Sequence, residues 1–163
     1  MKNEIKESIR IINSSEYIVA VTGAGISVDS GIPTFQGIDG LWTRFGKPSL
    51  NSYSDFIKDP HKWWAREIEY ASAPYINELR KTLEFARPNV GHKILKSMVD
   101  IGLIKKLITQ NIDGLHLEVG TENLIEIHGN RNKFRCIGCC TRTDRMENRI
   151  TKIPDPCLRC GNI

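Results

Sequence analysis

Four cysteines carry the clearest chemistry in the chain. Cys136 and Cys139 are separated by two residues, as are Cys157 and Cys160, and 17 residues lie between the pairs. A C-x2-C turn aims two sulfurs at one point, and two such turns close a tetrahedral zinc shell. Four thiolates leave no open coordination position, so a structural rather than a catalytic Zn²⁺ is expected. Cys140 reads as a spare thiol, because C-x3-C is the less usual knuckle.

The second group is a glycine turn. Gly23-Ala24-Gly25 follows an apolar run, and glycines there let the backbone reach φ > 0 and approach a pyrophosphate at a helix N-terminus. A tight structural turn would use the same residues. The full dinucleotide fingerprint wants a third glycine where Val28 stands, and an acid about 20 residues on. Position 45 is Phe45, and no acid lies between Asp39 and Asp55, which argues against an ordinary hydride-transferring dehydrogenase. The third group is Thr109-Gln110-Asn111-Ile112-Asp113, whose polar side chains suit amide and ribose recognition or the capping of a following helix. His128 is either a general base or a structural histidine. His61, His92 and His116 read as structural, and Trp42, Trp63 and Trp64 as core or pocket wall.

These groups need elements to hold them. Tyr17–Thr22, Leu103–Thr109 and Asn123–Ile127 are short runs rich in β-branched residues, read as buried parallel strands. Each delivers one chemical group at its carboxyl end, where open α/β sheets bind ligands. Residues 2–13 set Ile5, Ile9 and Ile12 on one helical face. Residues 30–51 read as a long loop with a short helical piece at Leu41–Phe45. Three helices follow: one opened by Asp59-Pro60, one started by Pro74 and broken at Arg87-Pro88-Asn89, and one carrying Ile94, Leu95 and Met98. The expected architecture is an α/β, Rossmann-like parallel sheet (residues 1–33 and 101–130). A cofactor loop and helical insertion (34–100) interrupt it, and a small zinc ribbon (131–163) follows.

Composition sets the frame. The 163 residues are 40% hydrophobic and 26% charged, with a formal charge of +4. That is an ordinary globular make-up, with no apolar run near the roughly 18 residues of a membrane span. MKNEIKESIR lacks a signal-peptide core, so a cytoplasmic address is expected. The positive charge is concentrated between Arg131 and Cys160, where eight basic residues face three acids. Four zinc-bound thiolates would lower the total to about +2, and nucleic-acid binding is not required.

Residues 23–37 (GAGISVDSGIPTFQG), 86–92 (ARPNVGH), 109–116 (TQNIDGLH) and 127–129 (IHG), followed by the double C-x2-C, resemble sirtuins in order and over nearly the whole chain. The resemblance implies an NAD-dependent protein-lysine deacylase whose partner is an acyl-lysine protein or peptide, bound between the two domains. NAD would meet Gly23, Ala24, Gly25, Ser27 and Val28 at its phosphates, Phe35 and Gln36 near nicotinamide, and Gln110 at the ribose. Ile112 and Asp113 would hold the carboxamide, and Asn111 would orient substrate or water. The acyl oxygen would attack the ribose C1′ and release nicotinamide. His128 would then act as general base on a ribose hydroxyl, giving free lysine and O-acyl-ADP-ribose. NAD-dependent mono-ADP-ribosyl transfer and a non-enzymatic zinc-ribbon module are the competing readings.

Three departures stand out. Gln36 replaces an arginine that many sirtuins place beside the cofactor, and a neutral amide cannot supply that charge; Arg44 is the nearby substitute. The branch that removes acidic acyl groups has a Tyr and an Arg three residues apart after its tryptophan, where this chain has Glu67 and Tyr70, so acetyl or another neutral acyl group is expected. Sirtuins also continue beyond the second cysteine pair. That implies a fold incomplete at its C-terminus, with little deacylase activity from these 163 residues alone.

Overall fold

The computed structural model describes residues 2–47, 52–70, 74–145 and 150–162. Part of the expected long loop (48–51) and two charges of the basic segment, Glu147 and Arg149, lie outside them.

Helix α1 (Lys2–Ser14) leads into strand β1 (Ile18–Thr22), which runs into a 3-10 helix, Ala24–Ser30. Gly31, at φ 85°, ends that helix in the left-handed region. The insertion contains α2 (Leu41–Phe45), α3 (Ser52–Lys58), α4 (Pro60–Tyr70) and α5 (Pro74–Phe85). Then come α6 (Val90–Asp100), β2 (Ile104–Thr109), α7 (Leu115–Glu118) and β3 (Leu124–Glu126). A hairpin of β4 (Lys133–Arg135) and β5 (Arg142–Asp144) completes the set. The expected α/β architecture is present: β1, β2 and β3 form one parallel sheet in that order, and β4–β5 a separate antiparallel pair.

Register explains why the sheet holds its polar groups where it does. Thr22 lies beside Thr109, and Thr109 beside Glu126. The strands therefore end level, and the segments that follow them emerge along one edge. The rung Ala20–Leu107–Leu124 shares the face of those residues, and Leu107 is 1% exposed. The opposite face carries Val21, Ile108 and Ile125, and there Val21 is 62% exposed and Ile125 44%. One side of the sheet is thus packed and the other bare. The chain presents 11322 Å² to solvent, against about 8,200 Å² for a compact monomer of its mass.

The insertion has its own centre. Phe56, Trp63 and Trp64 meet edge-on at 4.9 to 6.3 Å, and Trp63 Nε1 donates to Ser52 Oγ at 3.0 Å. A smaller cluster of Ile32, Ala86 and Leu115 joins the end of the 3-10 helix to α7, with Leu83 against it. Sequence periodicity did not reveal α3, α7 or the hairpin, which are between three and seven residues long per element. Strand β3 ends one residue short of expectation at each side; at its start Asn123 takes φ 54° and cannot extend it.

Candidate functional site

The glycine turn differs from its expected form in one respect. Gly23 has φ −135° and Gly25 is not left-handed, so neither glycine is needed for an unusual backbone angle. What the two glycines leave is open space. A Cβ at either position would meet nothing within 4 Å, so the turn presents bare backbone to an open volume. Ile26 N already donates to the Gly23 carbonyl at 3.2 Å, and the amides before it begin the helix with no residue a turn earlier to accept from them. This is the shape a pyrophosphate requires.

A buried polar network fixes the turn against the segment after β2. Asn111, 6% exposed, donates from Nδ2 to the Gly23 carbonyl at 3.0 Å and to Ser27 Oγ at 3.1 Å. Ser27 in turn donates to Asp113 Oδ2 at 2.7 Å. The other carboxylate oxygen of Asp113 accepts from Leu115 N, the first residue of α7, at 2.9 Å, an Asx turn leading into the Gly114 N-cap. Thr109 Oγ1 accepts from Asn111 N, and Thr22 O accepts from Gln110 N. Of the two options for TQNID, the bond from Leu115 N to Asp113 realises the local helix-start role, while Gln110 and Ile112 are exposed.

Two histidines read as structural lie behind this network. Asn89 caps α6, accepting from Gly91 N and His92 N, while His92 Nδ1 accepts from Asn89 N at 3.3 Å. That is a capping box with histidine at the position where Glu or Gln usually stands. Asn89 Nδ2 also donates to the Ile26 carbonyl and to Ser30 Oγ, clamping the 3-10 helix onto α6. His116 Nε2 bonds Thr22 Oγ1 at 3.0 Å. The two rings are 4.8 Å apart, and His92 Nε2 and His116 Nδ1 are buried without a hydrogen-bond partner. Burial pushes both imidazoles down, opposed by Asp113. His116, which also feels His92, falls to about 4. Both rings are neutral at pH 7. The Asn-x-x-His spacing of Asn89 and His92 was the sequence signal for this cap.

The other expected site residues sit around this core. Phe35, 38% exposed, lies against Trp42 at 5.4 Å between ring centres. Val28 and Gln36 are exposed. The guanidinium of Arg44 lies 4.7 Å above the Phe45 ring. His128 is exposed just beyond β3 and lines a cleft of about 370 Å³ with Glu126, Asn130, Lys133, Arg135 and Arg142. The Ser27–Asn111–Asp113 network does not contribute to that cleft.

The cysteines converge as their spacing predicts. The sulfurs of Cys136, Cys139, Cys157 and Cys160 all lie within 4.8 Å of one another, Cys136 and Cys160 at 3.4 Å and Cys139 and Cys157 at 3.6 Å. A tetrahedron with Zn–S bonds of about 2.3 Å has edges of about 3.8 Å, so the donor set fits zinc. The two knuckles share one backbone pattern: Cys140 N bonds Cys136 O and Gly161 N bonds Cys157 O. Each places that residue in the left-handed region, Cys140 at φ 59° and Gly161 at φ 75°. Cys140 thus holds the position a glycine holds in the second knuckle, and it is not among the clustered sulfurs.

Residues 23–163 match the model of the Sir2 family. The chain belongs to the Sir2 family. Curated relatives include an NAD-dependent protein deacylase of Aeropyrum pernix, 40% identical over 160 residues. That match takes in 96% of this chain and 60% of the relative. NAD-dependent protein deacylase 2 of Archaeoglobus fulgidus is 36% identical, covering 99% of this chain and 61% of that protein. Among solved Sir2 structures, a homologue variant bound to ADP-ribose superposes with a TM-score of 0.68 at 37% identity, over 96% of this chain and 59% of that one. A Sir2 homologue bound to NAD gives a TM-score of 0.63 at 36% identity, over 97% of this chain and 58% of that one. The chain spans about 60% of the length of the Sir2 relatives it matches.

Proposed function

We propose that this chain serves in the NAD-dependent removal of acetyl or other neutral acyl groups from protein lysines. The observation that carries the reading is the glycine turn, open where a Cβ would stand at Gly23 or Gly25 and braced from behind by Asn111, Ser27 and Asp113. Relatives named as NAD-dependent deacylases, and a Sir2 structure holding a deacetylated peptide with an acetyl-ADP-ribose, support it.

Bound NAD supplies the ribose carbon to which the acyl oxygen is transferred. The residues around it have separable tasks. Gly23, Ala24, Gly25, Ser27 and Val28 form the phosphate-facing turn, whose amides receive negative charge. Phe35 and Gln36 border the nicotinamide side, where Gln36 offers hydrogen bonds without charge. Gln110, Ile112 and Asp113 address ribose and carboxamide, and Asn111 sets the turn and orients what binds over it. His128, exposed beside the cleft, takes up a proton at an imidazole nitrogen as general base. Cys136, Cys139, Cys157 and Cys160 hold structural Zn²⁺, which ties the hairpin to the C-terminal knuckle. The proposed partner is an acyl-lysine polypeptide, and the proposed address is cytoplasmic.

The test is nicotinamide release from NAD with and without an acetyl-lysine peptide. It is run on this chain and on a chimera carrying the part of the A. pernix relative outside the match. Peptide-dependent release that His128→Ala abolishes is the expected result. Release that ignores the peptide would replace the deacylase reading with ADP-ribosyl transfer or NAD hydrolysis.

A further inference from the structure

Hairpin β4–β5 carries one favourable and one unfavourable charge pair across its ladder. Antiparallel pairing sets Lys133 opposite Asp144 and Arg135 opposite Arg142. Directly paired residues share a face, as do alternate residues along one strand, so Lys133, Arg135, Arg142 and Asp144 share one face, three cations to one acid, with Asp144 at the Lys133 end and the two arginines together at the other. Phe134 takes the other side and meets Trp64 edge-on at 6.1 Å, which seats the hairpin on α4. Two arginines directly across a ladder repel one another. Among the described residues, none of the three cations has an ion-pair partner.

The same three side chains line the cleft that holds His128. Its one acid, Glu126, accepts from Asn130 Nδ2 at 2.6 Å and leaves the cleft with three cations to one carboxylate. The hairpin is also held in place at its root. Lys133 N donates to Asn130 O at 3.1 Å, and Arg145 N to Asn132 O at 2.7 Å. The Arg135–Arg142 pair, fixed in position beside the proposed general base, in ion-pair contact with neither Asp144 nor Glu126 and part of a surface on which cations outnumber acids, is a receptor for an anion.

We infer that Lys133, Arg135 and Arg142 form a subsite for an anionic side chain flanking the acyl-lysine of the substrate polypeptide. The assignment rests on the deacylase reading of His128 and names the substrate class for it: lysines in acidic or phosphorylated sequence. Carboxylate and phosphate share the required chemistry, because both accept forked hydrogen bonds from guanidinium groups. A nucleic acid fits less well. Three cations gathered in one cleft, with Glu126 among them, fall short of the extended basic stripe a phosphate backbone occupies.

Fluorescence anisotropy with four labelled acetyl-lysine peptides tests this, the flanking residues being Glu, phosphoserine, Gln or Lys. At low salt the Glu and phosphoserine peptides bind this chain about 5- to 30-fold more tightly than the Gln peptide, and the Lys peptide binds most weakly. The spread narrows as salt is raised. In a variant carrying Lys133→Gln, Arg135→Gln and Arg142→Gln, the four peptides bind alike. The wild-type series and its salt dependence decide the matter even if that variant does not fold. Equal binding of Glu and Gln peptides to the wild type overturns the subsite. So does an oligonucleotide that displaces the Glu peptide at lower concentration than an unlabelled Glu peptide does. Failure of the deacylase reading looks different: nicotinamide release is absent with every peptide while the order of affinities stands, which upholds the anion subsite by itself.

Discussion

Acidification should destabilise this protein through His116. The imidazole is 1% exposed, bonds Thr22 at the end of β1 and lies beside a second buried ring. Burial first, then His92, bring its pKa from 6.5 to about 4 against the pull of Asp113. In the unfolded chain His116 titrates at its ordinary value. Between the two values the unfolded state therefore binds a proton that the folded state refuses. The stability tied to neutral His116 is whole above pH 6.5 and is lost progressively as pH falls to about 4. At 1.36 kcal/mol per pH unit that interval is worth about 3 kcal/mol, a large part of the roughly 5–15 kcal/mol that holds a domain together. His92, lowered by burial as well, acts in the same direction. The assay is urea unfolding across about pH 7.5 to 4.5 for wild type and His116→Gln. Carboxylates titrate in both proteins, so the difference between them isolates the ring. The stability advantage of the wild type should shrink by about 2–3 kcal/mol across that range. A difference that stays flat with pH, or an NMR titration placing His116 near its ordinary value, would refute the reasoning.

Replacing Cys140 by glycine relieves a left-handed residue at φ 59° and should raise stability by about 1 kcal/mol. Differential scanning calorimetry reads the gain, and the zinc content should not change. One Zn²⁺ per chain is expected by metal analysis. Cys157→Ser or a strong chelator should release it and remove hydrogen-exchange protection from the β4–β5 amides while leaving the β1–β2 amides protected. Gly25→Ala should leave the melting temperature unchanged or slightly raised, because its Cβ enters open space. The same change should weaken ADP-ribose binding at least about 10-fold by calorimetric titration, since one displaced phosphate contact is worth more than 1.4 kcal/mol.

Much of this was legible in the chain because it is written locally. The cysteine spacing alone puts four sulfurs within 4.8 Å, since each knuckle is a short, self-contained turn. Strands β1 and β2 announced themselves as β-branched runs that meet turn residues. Of the two reasons for the glycine turn, the positive φ is absent and the open approach remains: residue type marks a glycine, but whether it supplies an angle or a space depends on what the rest of the fold sets beside it. His92 and His116 gave no hint of being a pair, because residues 24 positions apart in sequence become neighbours only when α6 and α7 pack. The hairpin has strands of three residues, too short for alternation to show, and its cationic face exists only through the Arg135–Arg142 register.

The bare face of the parallel sheet bears on how this chain responds to temperature. Ile32, Ala86, Ile104, Leu107 and Leu115 are the buried hydrophobic residues among those described, so unfolding would hydrate less new apolar surface than in a well-packed domain. Heat capacity follows that newly wetted surface, and about 2.0–2.4 kcal/mol/K would be ordinary for a chain of this length. This chain should fall well short of that figure. Its stability curve would then be broad and shallow, with little curvature between cold and heat.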